Sequence, residues 1–169
     1  MIPIVLSRID HVGIACRSLE AAIERYEDVF GLTVVSLETN TGQGVREAML
    51  VVSGAPAASY VQLLEPLSPD SSVGRFLERR GEGMHHIGYA VESVTEALAT
   101  IGERGVRLID SRPRHGSMGA SIAFLHPGDL GGVLTELVQP VPNALNAVFA
   151  QRLPGLHKFG GAFRLPFRQ

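Results

Sequence analysis

The chain has 169 residues, 45% hydrophobic and 19% charged, with a formal net charge of −2 and one cysteine. That length suits one domain or two small fused halves, and the near-balanced charge with scattered arginines argues against a nucleic-acid partner. No apolar run approaches the roughly 18 residues of a membrane span, "MIPIVLSRID" lacks a signal-peptide pattern, and the lone Cys16 excludes an internal disulfide, so a soluble cytoplasmic protein with Cys16 in its core is expected.

An apolar strand near 8–16 comes first. Ser18 then offers a helix N-cap, "LEAAIERYEDVF" reads as an amphipathic helix, and Gly31 stops it. Strands follow near 32–39, 45–53 and 59–65, with "SGAPAAS" as turn chemistry between the last two. "SPDSSVGRFLERRGEG" reads as a polar linker holding one short helix. The stretch "GMHHIGYAV" opens a second series of the same kind. Ser93 and Glu96 form a capping box, Gly105 ends the helix, and strands follow near 106–112, 119–126 and 133–139, with "HPGDLGG" as the last turn.

The two series are copies. A shift of 75 lays "DHVGIACRSLEAA" (10–22) over "HHIGYAVESVTEA" (85–97), pairing His11 with His86, Gly13 with Gly88 and Asp10 with His85. A shift of 74 then lays "YVQLLEP" (60–66) over "LTELVQP" (134–140), pairing Gln62 with Glu136. His11 and Gln62 are 51 residues apart, and His86 and Glu136 are 50 apart. If the halves pack about a pseudo-twofold axis, each presents one imidazole and one oxygen donor to a common centre. Two His with oxygen donors and no thiolate describe a divalent-ion site, for Co, Mn, Ni, Zn or Fe. Burying four such polar groups in apolar strands without a shared partner would be costly. Neighbours on a strand face opposite ways, so His86 is expected to look into the site and His85 away from it.

The motifs "DHVGIA", "QLLEP", "GMHHIGYAV" and "FLHPGDLGGVLTEL" resemble the vicinal oxygen chelate superfamily; "QGVREAML", "GEGMHHI" and "GGVLTELV" resemble its methylmalonyl-CoA epimerase branch. The resemblance spans roughly residues 8–140. It implies an α+β fold in which two tandem βαβββ modules form an open, cupped, mixed sheet around one metal ion per chain. The modules would cover about 8–66 and 83–140, joined by a linker at about 67–82 within a single domain at 1–140. The implied metal ligands are His11, Gln62, His86 and Glu136, the set the repeat gives, with Co2+ the leading ion and Mn2+, Ni2+ or Zn2+ as alternatives. The implied substrate is an acyl-CoA, (2R)- or (2S)-methylmalonyl-CoA, whose α-proton is removed and returned.

Inverting a carbon centre needs proton exchange at both faces. By the resemblance Glu47 is the catalytic base on one face, and Glu136 acts on the other. The rough counterpart of Glu47 in the second half is Ser121, so the carboxylate has no repeat partner. Arg112 and Arg114 in "SRPRHGSMG" are candidate contacts for the coenzyme A tail and His115 a candidate substrate-pocket residue, whereas His126 is expected to order its hairpin. Residues 141–169 lie beyond the second module and hold Arg152, Lys158, Arg164 and Arg168 with no acidic residue. A homodimer is expected, since an open sheet leaves edges to cover. A glyoxalase-like lyase and a non-enzymatic small-molecule-binding protein of the same fold are the alternative functions.

Overall fold

Several of the strands are apolar runs buried on both faces and interrupted by a few polar residues, and each half adds one helix with a single apolar stripe. Such elements bury their faces only by stacking helix on sheet. The computed structural model describes residue 4 and residues 6–52 and 59–142. The order is β1 (Leu6–Ala15), α1 (Leu19–Phe30), β2 (Thr33–Asn40), β3 (Val45–Val51), β4 (Tyr60–Pro66), α2 (Ser72–Arg80), β5 (Gly83–Val91), α3 (Val94–Glu103), β6 (Arg114–His115), β7 (Ser121–Leu125) and β8 (Thr135–Gln139). The turn expected over 53–59 lies, except for Ser59, outside the described residues, as does the basic segment from 143 onward. No described helix is long and apolar enough to cross a membrane.

All eight strands form one mixed sheet in the order β2-β3-β4-β1-β5-β8-β7-β6. The order is a palindrome of the repeat. β1 and β5 run antiparallel at the centre, and each pairs in parallel with the last strand of its own module, β4 or β8. Ser18 accepts a hydrogen bond from the Ala21 N–H, and Ser93 accepts one from Glu96, so both expected caps form. Gly31 and Gly105 follow the helices with φ of 67° and 79°, the left-handed conformation that glycine adopts without strain.

α1 and α3 each cover the outer face of their own module, whereas α2 packs Val73 and Leu77 against Ala15, Val45 and Leu64 on the inner face. α1 packs Leu19 and Ala22 on Ala48, Leu50 and Leu63, with the buried Cys16 among them. α3 sets Val94, Ala97, Leu98 and Ile101, at helical spacing, on Ala123, Leu125 and Leu137. A fully buried Leu such as Leu63 contributes roughly 1.5–3 kcal/mol through burial. The inner face is then left for Val45, Glu47, Met49, Gln62, His86, Phe124 and Glu136.

One strand differs from the expectation. Instead of a strand over 106–112 there is an isolated bridge between Leu108 and Leu125, and the short β6 lies further on, at Arg114–His115. Two local causes are visible. The Asp110 carboxylate takes the N–H of Phe124 at 2.9 Å, a bond a ladder carbonyl would otherwise accept, and the N–H groups of Ile109 and Asp110 converge on the single carbonyl of Phe124. Pro113 then has no N–H to give.

Candidate metal centre

Two rows of residues cross the centre of the sheet. In one, Gln62 on β4 stands opposite Gly13 on β1, which stands opposite His86 on β5; in the other, Glu136 on β8 stands opposite Gly88 on β5, which stands opposite His11 on β1. Directly opposed side chains share a face. The middle glycine in each row makes the room. A Cβ on Gly13 would lie 2.2 Å from Cε1 of His86, and one on Gly88 would lie 2.5 Å from Cε1 of His11. Each half therefore supplies the space that the other half's imidazole fills.

The four side chains are all buried. The Nε2 atoms of His11 and His86 are 3.0 Å apart, and Glu136 Oε2 lies 2.7 Å from the first and 3.4 Å from the second. One donor atom from each of His11, His86 and Glu136 falls within 4.8 Å of the others. Glu136 Oε2 is close to His11 Nε2 but off the direction a hydrogen bond needs, and is left without such a partner. Gln62 gives Nε2 to Glu47 Oε2 at 2.6 Å and to Ser117 Oγ at 2.8 Å, so its Oε1 is also unsatisfied. Buried oxygens without partners are rare. Donor atoms 2.7–3.4 Å apart are close enough to share one ion at ligand distances of about 2.0–2.2 Å. The donor set fits a divalent cation.

Charge is arranged to match. Burial would lower the His11 imidazole, yet Glu136 and Asp10 hold it up at about 9. Burial would raise the Glu136 carboxyl, but His11 and His86 bring it down to about 2. His86 is pushed below its ordinary value by burial. A cation entering here would displace a proton from an imidazole already facing a carboxylate.

Glu47 sits on β3, an inner strand, and is 1% exposed. Its Oε2 accepts from Gln62, its Oε1 has no partner, and burial pushes its carboxyl up against the opposing pull of Ser117 and Gln62. The position equivalent to Glu47 is Ile122 rather than Ser121. Gln62 faces Met49 and Glu136 faces Phe124, so two residues back along each strand gives Glu47 and Ile122. One residue along a strand changes the face of the sheet. On the inner face the second module has an aliphatic side chain where the first has an acid.

His85 also departs from expectation. Its Nδ1 lies 3.0 Å from Nδ1 of His86 rather than facing away. Ser117 was not evident from the repeat. It belongs to a tight turn, Ser117–Gly119, in which Met118 has φ 54°. A left-handed conformation costs a non-glycine residue about 1–2 kcal/mol. It is held there by the Met118 N–H to Glu38 Oε1, at 3.0 Å, and by Gly116, where a Cβ would lie 2.4 Å from Ile122. The only sequence signal was a glycine on each side, in "HGSMG".

A cavity of about 240 Å³ reaches the centre, lined by Gln43, Val45, Leu64, His85, His86 and Phe124 among others. A second, of about 320 Å³, lies between Glu38–Gln43 and the pair Arg114 and His115. Arg114 borders both, with Nε 3.0 Å from Asp110 and its guanidinium 5.7 Å from the centre of the Phe124 ring. Arg112 is exposed and lines neither cavity. His126 accepts from the Gly128 N–H at 3.1 Å and so orders its turn as expected.

Two βαβββ modules cupping a buried His–His–Glu cluster define a class of metal-binding fold, and the model of the Glyoxalase/Bleomycin resistance protein/Dioxygenase superfamily matches residues 10–124. A Streptomyces coelicolor methylmalonyl-CoA epimerase variant, solved in complex with 2-nitronate-propionyl-CoA, is 49% identical with a TM-score of 0.78, over 81% of this chain and 96% of that one. The methylmalonyl-CoA epimerase from Mycobacterium tuberculosis is 39% identical with a TM-score of 0.79, over 87% and 96%. An ethylmalonyl-CoA/methylmalonyl-CoA epimerase of Cereibacter sphaeroides is 34% identical over 80% of this chain and 99% of its own length. The chain belongs to the methylmalonyl-CoA epimerase family within that superfamily.

Proposed function

We propose that the protein is a metal-dependent epimerase that interconverts (2R)- and (2S)-methylmalonyl-CoA by removing and returning the proton on C2. The observation that carries this reading is Glu47, a buried carboxylate with one oxygen tied to a candidate ligand, Gln62, and the other without a partner. A base must be held in place yet keep a lone pair for the proton, and a carboxyl raised by burial binds that proton better.

A divalent ion held by His11, Gln62, His86 and Glu136 would supply the positive charge that acidifies a C–H flanked by thioester and carboxylate carbonyls. A donor set without thiolate admits several divalent ions; the resemblance to the epimerase branch makes Co2+ the proposed ion, with Mn2+, Ni2+ and Zn2+ as alternatives. Glu47 takes the proton from one face of C2. With Ile122 at the equivalent place in the second module, no carboxylate mirrors Glu47, and Glu136 is the group assigned to the other face. Val45, Leu64 and Phe124 give part of the cavity an apolar lining, which limits the water that can reach the carbon while it is ionised. The nitronate bound by the Streptomyces relative is itself a planar anion at C2, the shape of the deprotonated acyl group.

The test is exchange. In deuterated water the protein should exchange the C2 proton of methylmalonyl-CoA from both epimers, followed by NMR, and chelation should stop it. Exchange from neither epimer would overturn the reading and favour a metal-dependent lyase of the same fold.

The same reading includes a homodimer. Leu6 and Ile9 on β1, each 49% exposed, and Met84 on β5, 58% exposed, leave apolar surface along the central strands. Sedimentation should give about twice the chain mass of 18.1 kDa. A single-chain mass at micromolar concentration would remove the dimer.

A further inference from the structure

The residue before each central histidine is turned toward it by the backbone. Along the β1–β5 seam the register passes from Ile9 opposite Tyr89 to His11 opposite Gly88, so Asp10 is an extra residue on β1. It passes from Gly13 opposite His86 to Ile14 opposite Met84, so His85 is an extra residue on β5. These are β-bulges, in which two residues face one and the alternation of side chains is interrupted. Asp10 and His85 are equivalents under the 75-residue shift, so the bulges are related by the pseudo-twofold axis.

Each bulged side chain meets the outer nitrogen of its neighbour. Asp10 Oδ1 lies 3.2 Å from Nδ1 of His11, and His85 Nδ1 lies 3.0 Å from Nδ1 of His86. The Nε2 atoms of the two histidines face each other across the centre. Both supports are themselves braced. Arg8 donates to Asp10 Oδ2 at 2.5 Å, and the Phe76 ring packs edge-on against His85 with centroids 5.0 Å apart.

We infer that Asp10 and His85 are a pair of positioning residues, delivered by the two bulges, that fix the ring orientation and tautomer of His11 and His86 so that both offer Nε2 to one divalent cation. The inference rests on the metal reading above. An imidazole that binds through Nε2 keeps its proton on Nδ1 and needs an acceptor there. Asp10 is such an acceptor for His11. His85 accepts from His86 only through a bare Nδ1, so its own proton sits on Nε2. The supports differ in kind. A carboxylate makes His11 the more basic donor, and a neutral imidazole leaves His86 the weaker one.

Co2+ affinity of the full chain, measured by competition with a chromophoric chelator, separates the possibilities. Wild type should bind Co2+ and His86→Ala should lose it. His85→Ala should bind about 10–100-fold more weakly, and His85→Asn, whose amide oxygen can accept, should regain most of that loss. Nitrogen-15 spectra of the Zn2+-loaded wild type, which need no variant, should show His85 protonated on Nε2 and His11 and His86 on Nδ1. Wild-type affinity in His85→Ala, an Asn variant as weak as Ala, or a proton on Nδ1 of His85 would each overturn the inference. If wild type binds no Co2+, the metal reading falls with it; if wild type binds and the His85 series is flat, only the inference falls.

Discussion

Replacing Glu47 with Gln is expected to lower epimerisation by about 10²–10⁴-fold, the usual effect of losing one general base. The amide keeps the shape of the side chain and an oxygen to accept from Gln62 Nε2, so the inner face of β3 should stay packed. Metal content and acyl-CoA binding should therefore survive, and kcat should fall while Kd for the substrate changes little. The two faces give a finer result. In deuterated water the variant should still exchange the C2 proton of the epimer whose hydrogen faces Glu136 and fail on the other. Near-normal turnover in Glu47→Gln would remove Glu47 from the chemistry.

Gly13→Ala and Gly88→Ala should abolish tight metal binding without altering any donor atom. The added methyl would stand 2.2 Å from the His86 ring or 2.5 Å from the His11 ring, and neither ring is the free end of a flexible chain. Neither glycine has a positive φ, so alanine is allowed by the backbone and even gains about 0.4–1 kcal/mol by restricting the unfolded chain. Overpacking costs about 1–3 kcal/mol and wins. The expected outcome is a modest fall in Tm with a loss in Co2+ affinity of at least about 100-fold, beyond what removing a supporting hydrogen bond causes. Unchanged metal affinity in both variants would mean that the rings can bind from another orientation.

The duplicated architecture was legible because an apolar strand, a serine cap, an amphipathic helix and a stopping glycine recur at shifts of 75 and then 74 residues. The clustering of His11, His86 and Glu136 followed from the same shifts, since residues equivalent under a pseudo-twofold axis converge together. What the repeat missed are departures from regular pairing. Alternation placed His85 on the far face, but a bulge is a register shift and leaves no mark in the residue types. The strand expected over 106–112 is broken by a side chain, Asp110, competing for a ladder N–H. Ser117 reaches Gln62 through one strained turn between glycines, with no counterpart in the other half to reveal it. Glu47 is the intermediate case: its position in the strand was evident, its burial was not.

The crossed glycines have a consequence for how this chain can change over time. A duplicated module is ordinarily free to diverge, each copy tolerating what its own packing allows. Here the permitted size at position 13 is set by a ring belonging to the other copy, at 86, and the size at 88 by the ring at 11. The two copies are thus mutually constrained along a seam a few residues long. A recombinant that joined the first half of one homologue to the second half of another would succeed or fail there first, however well each half folds in its parent.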